Sequence, residues 1–155
     1  MRRFKLIIFI MLSTYCTTLL SEETDLAAGI RLEAGKDGNY GATARYKLGE
    51  PSYIEGLFLF NEEGFEISAL YEFQIRPEFF PESLFLFFGG GAHIGFWGED
   101  DPTVFGPDGI VGVLYSAKDY PINFSLDWHP LYNIVSEKKK RMWGNKLGIS
   151  ARYCF

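Results

Sequence analysis

The sequence predicts an all-β fold: an eight-stranded antiparallel up-and-down transmembrane β-barrel preceded by a cleaved signal peptide. Three observations carry this expectation. Apolar and polar residues alternate along segment after segment, aromatic residues make up 17% of the chain and gather on one face of that alternation, and the first residues have the charge and hydropathy order of an export signal.

The export signal comes first in the chain. Arg2, Arg3 and Lys5 precede an apolar run over 6–12, after which Ser13, Thr14, Thr17 and Thr18 intervene. A membrane-spanning helix needs about 20 apolar residues, so this run is too short to anchor the chain and reads as a removable signal. Cleavage after Ser21 leaves a mature domain of 22–155. Cys16 opens a competing reading as a lipidated cysteine, which Tyr15 opposes because such cysteines follow a small residue. Cys154 is the other cysteine, so the mature chain is expected to hold no internal disulfide.

Without 1–21 the chain keeps 12 Lys+Arg against 20 Asp+Glu, a formal charge of −8, which speaks against nucleic acid as a partner. The length suits one domain, and 17 glycines with abundant aromatics favour strands and tight turns over helices.

The strands follow from period-two patterning. Ile122, Phe124, Leu126 and Trp128 alternate with Asn123, Ser125, Asp127 and His129. Leu147, Ile149, Ala151, Tyr153 and Phe155 alternate with polar or small residues. Phe65, Ile67, Ala69, Tyr71, Phe73 and Ile75 do the same, with Leu70 alone breaking the polar face. Further strands read at 26–36, 39–48, 53–61, 84–97 and 108–117, each close to the 9–11 residues a tilted strand needs to cross a bilayer. Pro51, Pro77, Pro81, Pro102, Pro107, Pro121 and Pro130 are placed at joints or strand ends, where a missing N–H costs no ladder bond. The apolar stretch 84–96 contains Gly89, Gly90, Gly91 and Gly95, which suits a closely packed strand rather than a helix.

Size decides which face is outside. An eight-stranded barrel has little interior room, and the rings of Tyr40, Tyr46, Phe58, Phe60, Phe65, Tyr71, Phe73, Phe88, Phe96, Tyr115, Phe124, Trp128, Tyr153 and Phe155 exceed it. They are therefore expected outside, against lipid. A soluble lipocalin-like ligand-binding barrel is the alternative. The polar face then turns inward, with Arg31, Arg45, Lys47, Lys146 and Arg152 forming a cationic arc. Glu33, Glu55, Glu66, Glu72, Asp108 and Asp127 supply the anions. Arg31, Arg45 and Arg152 are expected to pair with Glu55, Glu66 and Glu72, filling the lumen with salt links rather than leaving a pore.

At Tyr153-Cys154-Phe155 the chain ends on an aromatic residue with another two places earlier. This resembles the C-terminal assembly signal of bacterial outer-membrane barrels, although Ser150 stands where a glycine is usual and Gly148 replaces it only approximately. The whole mature chain resembles the small outer-membrane β-barrel group that includes OmpX-like and OmpA-like barrels. The resemblance implies outer-membrane lipids and the outer-membrane assembly machinery as partners, with both chain ends in the periplasm. The long external loops would then be 98–107 and 130–145, and Trp97, Trp128 and Trp143 would mark the outer rim.

Several residues invite sharper functions. Lys138, Lys139, Lys140 and Arg141 form a cationic loop tip suited to a phosphate-bearing or acidic surface ligand. Glu99, Asp100, Asp101 and Asp108 offer oxygen ligands for a divalent cation, without recognisable spacing, and no metal or other cofactor is expected. His93 and His129 point inward, and Asp127 is placed to orient His129, but no serine is set as a nucleophile. A non-enzymatic barrel is the preferred reading, with a lipid-modifying enzyme as the runner-up.

Overall fold

The computed structural model describes residues 25–35, 38–97, 103–134 and 143–155. Eight strands, β1 (Leu26–Ala34), β2 (Asn39–Gly49), β3 (Ser52–Phe60), β4 (Gly64–Ile75), β5 (Leu84–Trp97), β6 (Val104–Ser116), β7 (Ile122–Tyr132) and β8 (Trp143–Cys154), follow one another in the chain. Each pairs antiparallel with the next, and β8 returns to β1, closing the barrel without a free sheet edge. Ala27↔Cys154 and Ala34↔Leu147 mark the extent of the closing seam. The Phe155 N–H donates to the Leu26 carbonyl at 2.9 Å and extends it by one bond.

Local chemistry sets the turns. Between β3 and β4 the Asn61 side chain accepts from the Glu63 and Gly64 N–H groups at 2.8 and 3.1 Å, a short polar turn that fixes the register of the hairpin. Between β2 and β3 the chain reverses at Gly49, whose φ of 133° lies in the region that favours glycine.

Two strands are longer than the sequence suggests. β6 begins at Val104 and β7 continues to Tyr132, so Pro107 and Pro130 lie inside strands rather than at joints, and 104–107 and 130–132 are not loop. The ladder tolerates them locally. Pro107 still pairs with Ala92 and Pro130 with Asn145, while the β6–β7 pairing is interrupted between Asp108↔Leu131 and Val111↔Trp128, where Pro130 packs near Gly109. Trp128 consequently stands within β7 and not at its end, whereas Trp97 and Trp143 are strand-terminal.

The faces separate cleanly. Of the fourteen rings assigned outward, thirteen are exposed and Phe60 is half-buried. They meet across strands, as in Phe65 with Phe96 at 4.9 Å and Phe73 with Phe88 at 5.9 Å between centroids. Ile30, Leu32, Leu126, Leu147 and Ile149 complete an apolar outer surface. The inside instead buries Arg31, Glu33, Arg45, Glu55, Glu66, Glu72, Asp127 and Arg152. This is the reverse of a soluble barrel, in which the apolar face fills the interior.

The interior also holds an apolar sector. Leu57 and Leu59 of β3, Leu70 of β4, Phe87 of β5 and Ile110 and Leu114 of β6 pack together, an apolar cluster set among the inward Glu55, Glu66, Glu72, His93 and Asp108 of the same strands. Leu70, a break in the polar pattern, belongs to this cluster. Beside it the β4 and β5 backbones approach too closely for a side chain: a Cβ at Gly89 or Gly91 would lie 2.2 or 1.8 Å from the carbonyl oxygens of Tyr71 or Ala69 on β4.

Candidate functional site: the bridged lumen

The charged network joins cations on β1, β2 and β8 to carboxylates on β1, β3, β4, β6 and β7. Arg31 has no exposed surface. Its Nη1 and Nη2 donate to Asp127 on β7 at 2.9 and 2.6 Å, a two-pronged pairing, while Nε donates to Glu33 at 2.9 Å and Nη1 also reaches Ser150 at 3.1 Å. Gly148 is what lets the guanidinium sit there, since a Cβ at that position would lie 2.2 Å from Arg31 Nη2. The glycine near the C-terminal motif therefore has a packing role that the sequence pattern did not reveal.

Arg152 lies deeper toward the anionic side. It pairs with Glu55 on β3, and donates to Thr43 on β2 and Ser125 on β7 at 3.0 Å each. Thr43 in turn donates to Glu55. One side chain thus ties four strands across the barrel. Arg45 donates through Nε to Glu72 at 2.8 Å and through Nη1 to Gln74 at 2.7 Å, with its guanidinium 4.0 Å above the Tyr53 ring.

Near the end of the barrel opposite the chain termini, Lys146 reaches Glu66 at 2.7 Å and Glu33 at 3.3 Å. His129 Nδ1 lies 2.9 Å from Glu33, and its Nε2 faces Asp108 at 3.4 Å. His93 contacts Asp108 through Nδ1 and Asn133 through Nε2 at 2.7 Å. Lys146, Glu33, His129, Asp108, His93 and Asn133 form one chain of polar contacts across the lumen.

Four sequence expectations are revised by this geometry. Arg45 meets Glu72 and not Glu66, whose partner is Lys146. Lys47 stands apart from the network at the rim, paired with the exposed Glu50 at 3.1 Å. Asp127 holds Arg31 rather than His129, which is oriented by Glu33 and Asp108. Asp108 faces the lumen beside the histidines and is not a loop ligand. Among the described residues, no group of three or more His, Cys, Asp and Glu side chains is disposed to hold a metal ion. The signal segment 1–21 with Cys16, the acidic Glu99, Asp100 and Asp101, and the cationic Lys138, Lys139, Lys140 and Arg141 lie outside the described residues.

The pairings that sequence alone missed depend on register and strand stagger, which place residues from distant strands at one height. Arg31 and Asp127, 96 positions apart, illustrate this. Their polar character at inward positions was the available signal.

A closed ring of eight antiparallel strands, apolar outside and ionic inside, defines the fold of the small eight-stranded outer-membrane barrels. The N-terminal β-barrel domain of Pseudomonas aeruginosa OprF is similar to this chain at a TM-score of 0.64 and 12% identity, covering 83% of this chain and 96% of that one. Neisserial surface protein A (NspA) is similar at a TM-score of 0.60 and 13% identity, covering 84% and 94%. No protein-family model matches the chain, and no curated protein matches it. Identities this low speak to the fold.

Proposed function

We propose that this protein is an integral outer-membrane barrel whose interior is sealed by its own salt-bridge network, serving membrane structure and carrying external loops for surface binding. The observation that supports this most directly is the position of Arg31 and Arg152. At 0% and 1% exposure they stand inside the barrel, each tied to several strands, where a water-filled channel would leave them solvated. The apolar exterior supports the membrane location, because such a surface in water would drive aggregation. The outer leaflet end then carries the connections around 98–102 and 133–142, and Lys138, Lys139, Lys140 and Arg141 would supply charge for a phosphate-bearing surface ligand.

The location is tested by fractionating cells that express the full chain and running unboiled and boiled samples on a detergent gel. The proposal expects the protein in the outer-membrane fraction with migration that changes on boiling. Recovery in the soluble periplasmic fraction would overturn it and favour a ligand-binding soluble barrel.

A further inference from the structure

Among the described residues, the inward charges fall into two groups along the barrel. In the half nearer the chain ends, Arg45 pairs with Glu72 and Arg152 with Glu55, two fixed cations for two carboxylates. Farther along, Glu33, Glu66, Asp108 and Asp127 are four buried carboxylates, and the fixed cations that reach this group are Arg31 and Lys146. Arg31 takes Asp127 and Glu33, Lys146 takes Glu66 and Glu33, and neither serves Asp108. The charge partners of Asp108 are two imidazoles: His93 on β5 contacts Oδ1 through Nδ1, and His129 Nε2 on β7 stands 3.4 Å from Oδ2.

The surroundings of each ring specify its protons. His129 Nδ1 lies 2.9 Å from Glu33 Oε1 on β1, and its Nε2 and Asp108 Oδ2 have no hydrogen-bond partner elsewhere. A carboxylate oxygen can only accept, so a neutral ring would turn a lone pair toward a buried anion, whereas a ring protonated on both nitrogens meets each side as a charge pair. Lys146 is the ladder neighbour of His129 on β8 but reaches Glu66 of β4 and Glu33, and Asp127, two residues along β7, accepts from both Arg31 terminal nitrogens. His93 stands between Asp108 at Nδ1 and the Asn133 amide oxygen at Nε2, 2.7 Å away, and likewise has an acceptor on each side. With both rings cationic, four positive groups meet four carboxylates. With both neutral, four carboxylates face two cations and the buried excess is two negative charges.

We propose that His93 and His129 are structural imidazolium ions whose two protons close this half of the lumen, a latch that weakens as the medium turns alkaline. The latch deepens the sealed-lumen reading and rests on it. In the unfolded chain an imidazole releases its proton near pH 6.5, so above about that pH folding must take both protons back from solvent. Each of them makes unfolding up to about tenfold more favourable per pH unit. The stabilisation is therefore complete below about pH 6.5 and is lost as pH rises, while the arginine pairs keep their charge and hold the other half.

The chain contains two histidines, which makes the test direct. The full chain is expressed with nitrogen-15 in its imidazole rings, purified in detergent and recorded by NMR at pH 8, where a free imidazole is roughly 3% protonated. In the folded barrel both nitrogens of both rings should carry hydrogen, and in the urea-unfolded chain one nitrogen of each ring. His93→Gln assigns the remaining signal to His129. A bare nitrogen in either ring of the folded barrel at pH 8 would overturn the proposal. The second readout is urea unfolding of wild type and His129→Gln at pH 7 and pH 8. Wild type should lose stability with pH more steeply, by up to about tenfold in the unfolding constant, and equal pH dependence would also overturn the latch. Should His129→Gln not fold, the wild-type ring spectra decide. The sealed-lumen reading fails by a different observation, ion current through wild type at neutral pH.

Discussion

Replacing Arg45 by alanine is the perturbation whose outcome the lumen geometry specifies most sharply. The Arg45 and Glu72 side chains are 5% and 0% exposed, with Nε and Oε2 2.8 Å apart. Glu72 Oε1 already has no hydrogen-bond partner, so removing the guanidinium leaves the carboxylate buried with neither charge nor hydrogen-bond compensation. Breaking a buried pair from one side costs about 3–5 kcal/mol. Removing Glu72 as well should recover much of that, since the stranded charge disappears, whereas removing Glu66 should not, because Glu66 is held by Lys146 at 2.7 Å. The assay is a urea titration of unfolding in lipid vesicles, followed by tryptophan fluorescence, for both double-mutant cycles. A coupling of about 2 kcal/mol or more is expected for Arg45 with Glu72, and within about 0.5 kcal/mol of zero for Arg45 with Glu66. Equal couplings, or an Arg45→Ala loss no larger than that of the exposed Lys118→Ala, would refute the reasoning.

Three further outcomes follow from other parts of the barrel. Leu126→Arg, on the outward face at 51% exposure, should destabilise by about 2–4 kcal/mol in the same vesicle titration if that face meets lipid at mid-depth, and no loss would invert the assignment of faces. Gly91→Ala should cost about 1–3 kcal/mol because the added carbon overlaps the β4 backbone, while Gly56→Ala, with nothing within 4 Å, should be close to neutral; equal melting of the two variants would contradict the packing. Deleting Phe155 removes the 2.9 Å bond to Leu26 and the terminal ring packed against Tyr153, and should lower the amount of heat-modifiable protein in the outer membrane. Normal accumulation of the truncated chain would remove the assembly-signal reading.

The strand count was legible because alternation survives wherever one face is apolar and the other polar. β7 shows this from Ile122 through His129. The ends of β6 and β7 were not, since Pro107 and Pro130 signal a break that pairing with Ala92 and Asn145 overrides. The apolar sector of the lumen left a trace in the sequence wider than Leu70 alone. In β3 and β5 the runs Leu57-Phe58-Leu59-Phe60 and Leu84-Phe85-Leu86-Phe87-Phe88 are apolar at consecutive positions, which means both faces are apolar there. The inward placement of the charges followed from residue type and period, but their partners did not. Which carboxylate meets Arg45 depends on the stagger accumulated across β2, β3 and β4, and a composition of arcs carries no such information.

Ion conductance of the purified protein in planar lipid bilayers tests the sealed interior most directly. The network spans the lumen from Arg45 and Glu72 through Arg152 and Arg31 to Lys146, Glu66 and the two histidines, and the apolar cluster of β3 to β6 packs alongside it. Wild-type protein inserted into the bilayer should show no steady current above that of the bare membrane, and large, stable open-channel currents from wild type would contradict the account.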